Sequence, residues 1–120
     1  MKKILIVEDE KALANVLSLK LTKSGFDVDV AINGDIAVEM LGNKKYDLLV
    51  LDLILPLMDG FGVLKAIKNM DLVDMPIIVV SNLSSQEDKR RAEYLGADEF
   101  IVKSDTSMAE ILEKINQLIK

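Results

Sequence analysis

The sequence predicts an α/β fold, a parallel sheet covered by helices on both faces, and three observations carry the prediction. Five short apolar runs of strand length alternate with five segments of helical period, the pattern that builds parallel sheets through β-helix-β crossovers. The runs near residues 4, 48 and 77 are apolar at every position, as strands buried on both faces are. Gly, Asn-Gly and Asp-Gly punctuate the boundaries between elements. The 120 residues suit one domain spanning 1–120.

The elements follow in order. Lys3 to Val7 reads as a buried strand that stops at the charge cluster Glu8-Asp9-Glu10. Leu13, Val16, Leu17 and Leu21 then share one helical face, and Gly25 stops that helix. Asp27 to Ala31 alternates Val28 and Val30 with aspartates, which suits an edge strand. Asn33-Gly34 opens a short helix carrying Ala37, Met40 and Leu41, with Gly42 as its expected end. Asp47 to Leu51 is a central strand. Pro56 and Asp59-Gly60 shape the next loop, and Asp59 caps a helix burying Val63, Leu64, Ile67 and Met70.

Pro76 to Val80 is the fourth strand, with Pro at its tolerated first position. Ser84 and Glu87 have capping-box spacing before a charged helix that reaches Leu95 and ends at Gly96. Its apolar face is thin, Ala92 and Leu95 with Tyr94 beside them, so it is expected to be the most loosely held helix. Glu99 to Val102 is a last strand. Ser107 and Glu110 form a second capping box before a helix whose face is Ile111, Leu112, Ile115, Leu118 and Ile119. A strand order of 2-1-3-4-5 is adopted from precedent among open parallel sheets rather than derived from the pattern.

Composition narrows the chemistry. The chain has no Cys and no His, which removes disulfides, thiol nucleophiles, zinc sites of the usual kinds and imidazole acid–base catalysis. The net charge of −5 argues against general nucleic-acid binding. The apolar N-terminal run is too short for a signal peptide or a membrane span, so a soluble cytoplasmic protein is expected. No G-x-x-x-x-G-K-S/T or G-x-G-x-x-G motif supports nucleotide binding.

One residue breaks the apolar pattern. Asp52 stands inside Leu48 to Leu57, and an ionised carboxylate there is costly unless it is paired, metal-bound or open to water. The residues just past the other strands supply what it needs. In a 2-1-3-4-5 sheet Glu8, Asp9 and Asp52 converge on one crevice at the switch point, with Ser81 and Lys103 past strands four and five. Three carboxylates call for a hard divalent cation, and oxygen ligands suit magnesium or manganese. A carboxylate, a metal, a hydroxyl and a lysine fit phosphoryl transfer, with Asp52 as the nucleophile. Taken singly, each residue has an ordinary explanation: a helix cap, a solvated lysine, a loop serine, an Asx turn. The constellation argues more strongly than any member.

These residues resemble the receiver domain of two-component response regulators, over the whole chain. The resemblance rests on Ile6-Val7-Glu8-Asp9-Glu10, on Leu51-Asp52-Leu53-Ile54-Leu55-Pro56-Leu57-Met58-Asp59-Gly60, on Ser81, on Leu95-Gly96-Ala97-Asp98 and on Phe100-Ile101-Val102-Lys103. It implies a flavodoxin-like doubly wound three-layer sandwich and a phosphorylation-activated switch. By resemblance Asp52 is the phosphoacceptor. Asp9, Asp52 and the Ile54 carbonyl bind Mg²⁺ directly, and Glu8 acts mainly through water. Ser81 bonds a phosphoryl oxygen after activation, Lys103 pairs with the phosphoryl group, and Phe100 is the aromatic switch.

The implied partners are a sensor histidine kinase or histidine phosphotransfer protein and a downstream target, reached through the fourth helix, fifth strand and fifth helix. Neither nucleic acid nor membrane is an implied partner of this domain. The implied chemistry is self-phosphorylation and dephosphorylation rather than metabolism. The chain departs from the family pattern in having Ser104 where Pro usually follows the lysine, and Phe100 where Tyr is commoner. No output domain follows Lys120, so the expectation is either a single-domain regulator or a truncated one. The alternative reading is a pseudo-receiver, the same fold serving as a phosphorylation-independent binding module. A phosphohydrolase lacks its second acid, since Ile54 holds that position, and a flavin protein would find Glu8-Asp9-Glu10 where it needs a phosphate loop.

Overall fold

A computed structural model of the chain describes all residues except Asp71, Val73 and Lys120. Five strands, β1 (Lys3–Val7), β2 (Asp27–Ala31), β3 (Leu48–Leu51), β4 (Ile77–Ser81) and β5 (Glu99–Val102), alternate with five helices. The helices are α1 (Lys11–Lys23), α2 (Gly34–Asn43), α3 (Gly60–Lys68), α4 (Gln86–Tyr94) and α5 (Met108–Leu118). The sheet order is β2-β1-β3-β4-β5 and the strand pairs are parallel.

Strand side chains alternate between faces, and the alternation divides the core in two. Ile4, Ile6, Leu48, Val50, Ile78, Val80 and Ile101 pack against Leu17 and Leu21 of α1 and Ile111 and Ile115 of α5. Leu5, Val7, Leu49, Leu51, Ile77 and Val79 pack against Ala37 and Leu41 of α2, Val63 and Leu64 of α3, and Ala92 of α4. Thus α1 and α5 cover one face and α2, α3 and α4 the other. β2, at the edge, has its valines only half-buried, in keeping with its alternating aspartates.

Several boundaries differ from the sequence reading, each for a local reason. Val16 is exposed and Ala14 takes its place on the buried face of α1, because Ala14, Leu17 and Leu21 form the tighter stripe. Gly42 lies inside α2, which runs to Asn43, so helical hydrogen bonding outweighs the modest cost of an interior glycine. Asp47 precedes β3 and instead uses its carboxylate to accept from the Lys3 N–H at 2.8 Å. Pro76 precedes β4, its carbonyl accepting from Leu49 N–H at 3.0 Å. α4 is capped by Ser85, whose hydroxyl accepts from Asp88 N–H at 3.1 Å, and not by Ser84; both serines suit the role, and the Ser85 hydroxyl also donates to the Asp88 carboxylate at 2.8 Å. Tyr94 is exposed, leaving Ala92 as the only buried residue within α4. The capping box at Ser107 and Glu110 forms as the spacing predicts.

α2 begins at a cap that sits next to the functional edge. The Asn33 side chain is buried and accepts from Ile36 N–H at 2.8 Å. Asn33→Ala should cost about 1 kcal/mol of stability, since the part-buried Ile36 N–H loses its acceptor. Urea denaturation checks this; an unchanged midpoint would show that water replaces the cap.

Candidate functional site

Register brings the chemistry together. Val7 pairs with Leu51 across β1 and β3, so Glu8 and Asp52 leave the sheet side by side. Ser81 pairs with Val102 across β4 and β5, so Lys103 follows at the same edge. Parity then selects the face. Glu8, Asp52 and Lys103 each stand two residues beyond a core residue of the α1/α5 face, namely Ile6, Val50 and Ile101. Ser81 and Phe100 fall on the α2–α4 face, with Val79 and against its cluster.

The three residues on the α1/α5 face meet directly. The Lys103 ammonium lies 2.7 Å from Glu8 Oε1 and 2.7 Å from Asp52 Oδ2. The carboxylates' other oxygens accept from backbone: Asp52 Oδ1 from Ile54 N–H at 3.0 Å, and Glu8 Oε2 from Glu10 N–H at 3.1 Å. Both carboxylates are almost fully buried, 3% exposed at Glu8 and 4% at Asp52. Asp9 is exposed, and Glu8, Asp9 and Asp52 each present a carboxylate oxygen within 4.8 Å of the others. Three carboxylates against one ammonium leave negative charge unbalanced.

Burial, more than this imbalance, governs Glu8. Burial pushes its carboxyl up from 4.5 to about 7, against the hydrogen bonds from Lys103 and the Glu10 N–H, and the Asp52 charge adds to the rise. Burial pulls the Lys103 ammonium the other way, but its bonds to Asp52 and Glu8 outweigh this and hold it above its ordinary value. Oxygen donors of this number and spacing, with Asp9 open to water, fit a small hard cation such as Mg²⁺. Zinc or copper would want imidazole or thiolate ligands, and the chain has no His and no Cys.

The remaining predicted residues lie around this cluster. Ser81 is fully buried, and its hydroxyl accepts from Leu83 N–H at 3.4 Å. Phe100 is half-buried against the α2–α4 core, with the Lys89 ammonium 5.9 Å from its ring centroid. Ile54 turns its side chain to solvent, 51% exposed, while its N–H holds Asp52. The Lys103–Ser104 peptide is trans, and a short 3-10 turn follows over Lys103–Asp105. The Ser104 N–H donates to Asn82 Oδ1 at 3.0 Å, a bond a proline there has no hydrogen to make. It ties the loop carrying Lys103 to the loop following Ser81. The sequence signalled Ser104 as a departure but not its partner, because the two residues are distant in the chain.

This fold and this acidic edge define a class, and the chain belongs to it: the family described as response regulator receiver domain matches residues 4–116. Members act as phosphorylation-activated switches in two-component signalling and bind Mg²⁺ at the acidic pocket. The chain is 35% identical over 118 residues to the transcriptional regulatory protein CusR of Escherichia coli K12, covering 98% of this chain and 51% of CusR. It therefore spans about half the length of the curated relatives it matches. Among solved structures it resembles the non-phosphorylated HemR receiver domain of Leptospira biflexa, with TM-score 0.92 and 29% identity over 100% of this chain and 95% of that one. It also resembles the response regulator TrrA of Thermotoga maritima in complex with Mg²⁺ and BeF, with TM-score 0.83 and 31% identity over 98% and 99%. Among the described residues no helix is long and apolar enough to cross a membrane.

Proposed function

We propose that the chain is a cytoplasmic receiver that accepts a phosphoryl group on Asp52. The observation that carries this is the Glu8–Lys103–Asp52 contact, a buried carboxylate held at two oxygens beside further oxygen donors. Ile54 N–H and the Lys103 ammonium fix the plane of the Asp52 carboxylate, so one oxygen is aimed before a donor arrives. Asp9, Asp52 and the Ile54 carbonyl would hold Mg²⁺, or Mn²⁺ in its place, with Glu8 acting through water. When bound, the ion neutralises the carboxylates and the oxygens of an incoming phosphoryl group. In the transfer, an Asp52 oxygen forms its bond to phosphorus as the phosphorus–nitrogen bond of a phosphohistidine breaks, and the imidazole leaves with the electron pair. Lys103 stays beside the developing charge.

The donor is a sensor histidine kinase or a histidine phosphotransfer protein. Ser81 and Phe100 share the α2–α4 face, and both lie on strands next to the thinly packed α4. That placement supports a readout through α4, β5 and α5: capture of a phosphoryl oxygen by Ser81 would free space into which Phe100 turns. A downstream protein would read that face, without direct contact to nucleic acid by this domain.

Incubation with a small acyl phosphate and Mg²⁺, followed by intact mass, tests the reading. One phosphoryl adduct is expected with the ion present, and little or none after chelation. An unmodified protein under both conditions would favour a phosphorylation-independent binding module instead.

A further inference from the structure

The loop from Asp52 to α3 is held in a conformation its own sequence disfavours. Leu57 has φ of 67°, in the left-handed region where non-glycine residues are uncommon, and its side chain is 81% exposed. The Met58 N–H donates back to the Pro56 carbonyl at 2.8 Å, making a γ-turn of the strained kind. The Leu57 side chain buries little surface that could stabilise this turn, which directs attention to its flanks.

Glycines supply the restraint. The half-buried Met58 is pressed from α2 by Gly34, where an added Cβ would lie 2.7 Å from the Met58 carbonyl carbon and Cβ and would strike its carbonyl oxygen. From α3, Gly62 faces the Met58 side chain, its added Cβ meeting Met58 Cγ at 2.7 Å. Gly60 closes the loop, its N–H donating to the Leu53 carbonyl at 3.0 Å, with no room for a Cβ against the Asp52–Leu53 backbone. The two contacts at Met58 differ in kind. Gly34 opposes rigid backbone, whereas Gly62 opposes a flexible side chain that can move aside.

We propose that Gly34 is a positioning residue for the Asp52 site: it lets the first turn of α2 seat against the Met58 carbonyl, and so fixes the loop that presents Ile54 to the cation. Gly34 touches neither Asp52 nor the acidic cluster. It acts through Met58, by permitting a close approach; a side chain there would force the retreat that relaxes Leu57 and swings the loop away from Asp52. The inference rests on the reading above, in which the Ile54 carbonyl and Asp52 share the ion.

Calorimetric Mg²⁺ titration of wild type, Gly34→Ala and Gly62→Ala tests it, beside the Mg²⁺ concentration giving half-maximal phosphorylation by acyl phosphate. Gly34→Ala is expected to weaken Mg²⁺ binding about tenfold and to raise that half-maximal concentration in step, the size of effect seen when a support of a metal ligand is lost. Gly62→Ala should stay close to wild type. A folded Gly34→Ala that binds Mg²⁺ as wild type does overturns the inference alone. A wild type that binds no Mg²⁺ overturns the functional reading and this inference with it. Should Gly34→Ala fail to fold, Gly34→Ala with Leu57→Gly lets the turn move and Met58 retreat. That protein is expected to fold with weakened Mg²⁺ binding, and wild-type affinity in it overturns the proposal.

Discussion

Asp52→Asn is expected to abolish phosphoryl transfer while leaving the protein folded. The amide nitrogen is not a nucleophile and its carbonyl oxygen carries no full charge, so no acyl phosphate forms at this position. Stability should change little, within about 1 kcal/mol, because two effects oppose one another. One carboxylate leaves a crowded acidic cluster, which relieves repulsion, while Lys103 keeps Glu8 at 2.7 Å and so remains paired. Against this, an amide can satisfy only one of the two donors that Asp52 now serves, Ile54 N–H and the Lys103 ammonium. Mg²⁺ affinity should fall about tenfold or more with the loss of an anionic ligand. Intact mass after acyl phosphate treatment and urea denaturation in parallel read both results. A phosphoryl adduct as abundant as that of wild type would place the acceptor elsewhere and sink the assignment.

Lys103→Ala is expected to be the most destabilising single change at the site, and its cost should depend on pH. The lysine is the only cation in hydrogen-bond contact with Glu8 and Asp52 among the described residues, and its side chain is 14% exposed. Its removal leaves two buried carboxylates facing each other, which costs about 3 kcal/mol when both are charged. Glu8 provides the escape. It titrates near 7 in the fold against an ordinary 4.5, so between these values the native state holds a proton that the unfolded chain has released. A raised carboxyl of this kind contributes stability in full below 4.5, and the contribution is lost as pH rises through 7.

Wild type in Mg²⁺-free buffer should therefore lose stability as pH rises through that window, and Glu8→Gln should flatten the slope. In Lys103→Ala the carboxyl rises further, so the variant's deficit should be small near pH 5 and reach its full size by about pH 8. Mg²⁺ at the higher pH should recover part of it. Denaturation midpoints across pH, with and without Mg²⁺, check the sign; a deficit independent of pH would mean that Glu8 is not the group taking up charge.

The strands show which parts of the molecule were legible in advance. A strand buried on both faces must be apolar at every position, so Ile4 to Val7, Leu48 to Leu51 and Ile77 to Val80 could hardly be read otherwise. The helices were less exact. Ser84 and Ser85 offer the same hydroxyl to α4, and it is Ser85 that pairs with Asp88, whose carboxylate its hydroxyl reaches at 2.8 Å. Val16 and Ala14 both fit an apolar stripe on α1, and the choice depends on how far that helix rolls on the sheet.

By itself, the sequence determined the elements, most of the residues each helix buries, and the types of group at the strand ends, because these follow from local period and the cost of burying charge. It therefore named Glu8, Asp9, Asp52, Ser81 and Lys103 together. Only the tertiary structure decided how they divide. Parallel register and two-residue parity set Glu8, Asp52 and Lys103 on the α1/α5 face, and Ser81 with Phe100 on the other. Packing likewise seats Gly34 of α2 on Met58, next to a Leu57 whose φ is 67°. Neither result is written in any short stretch of chain, since each depends on contacts between segments that meet only after the sheet has formed.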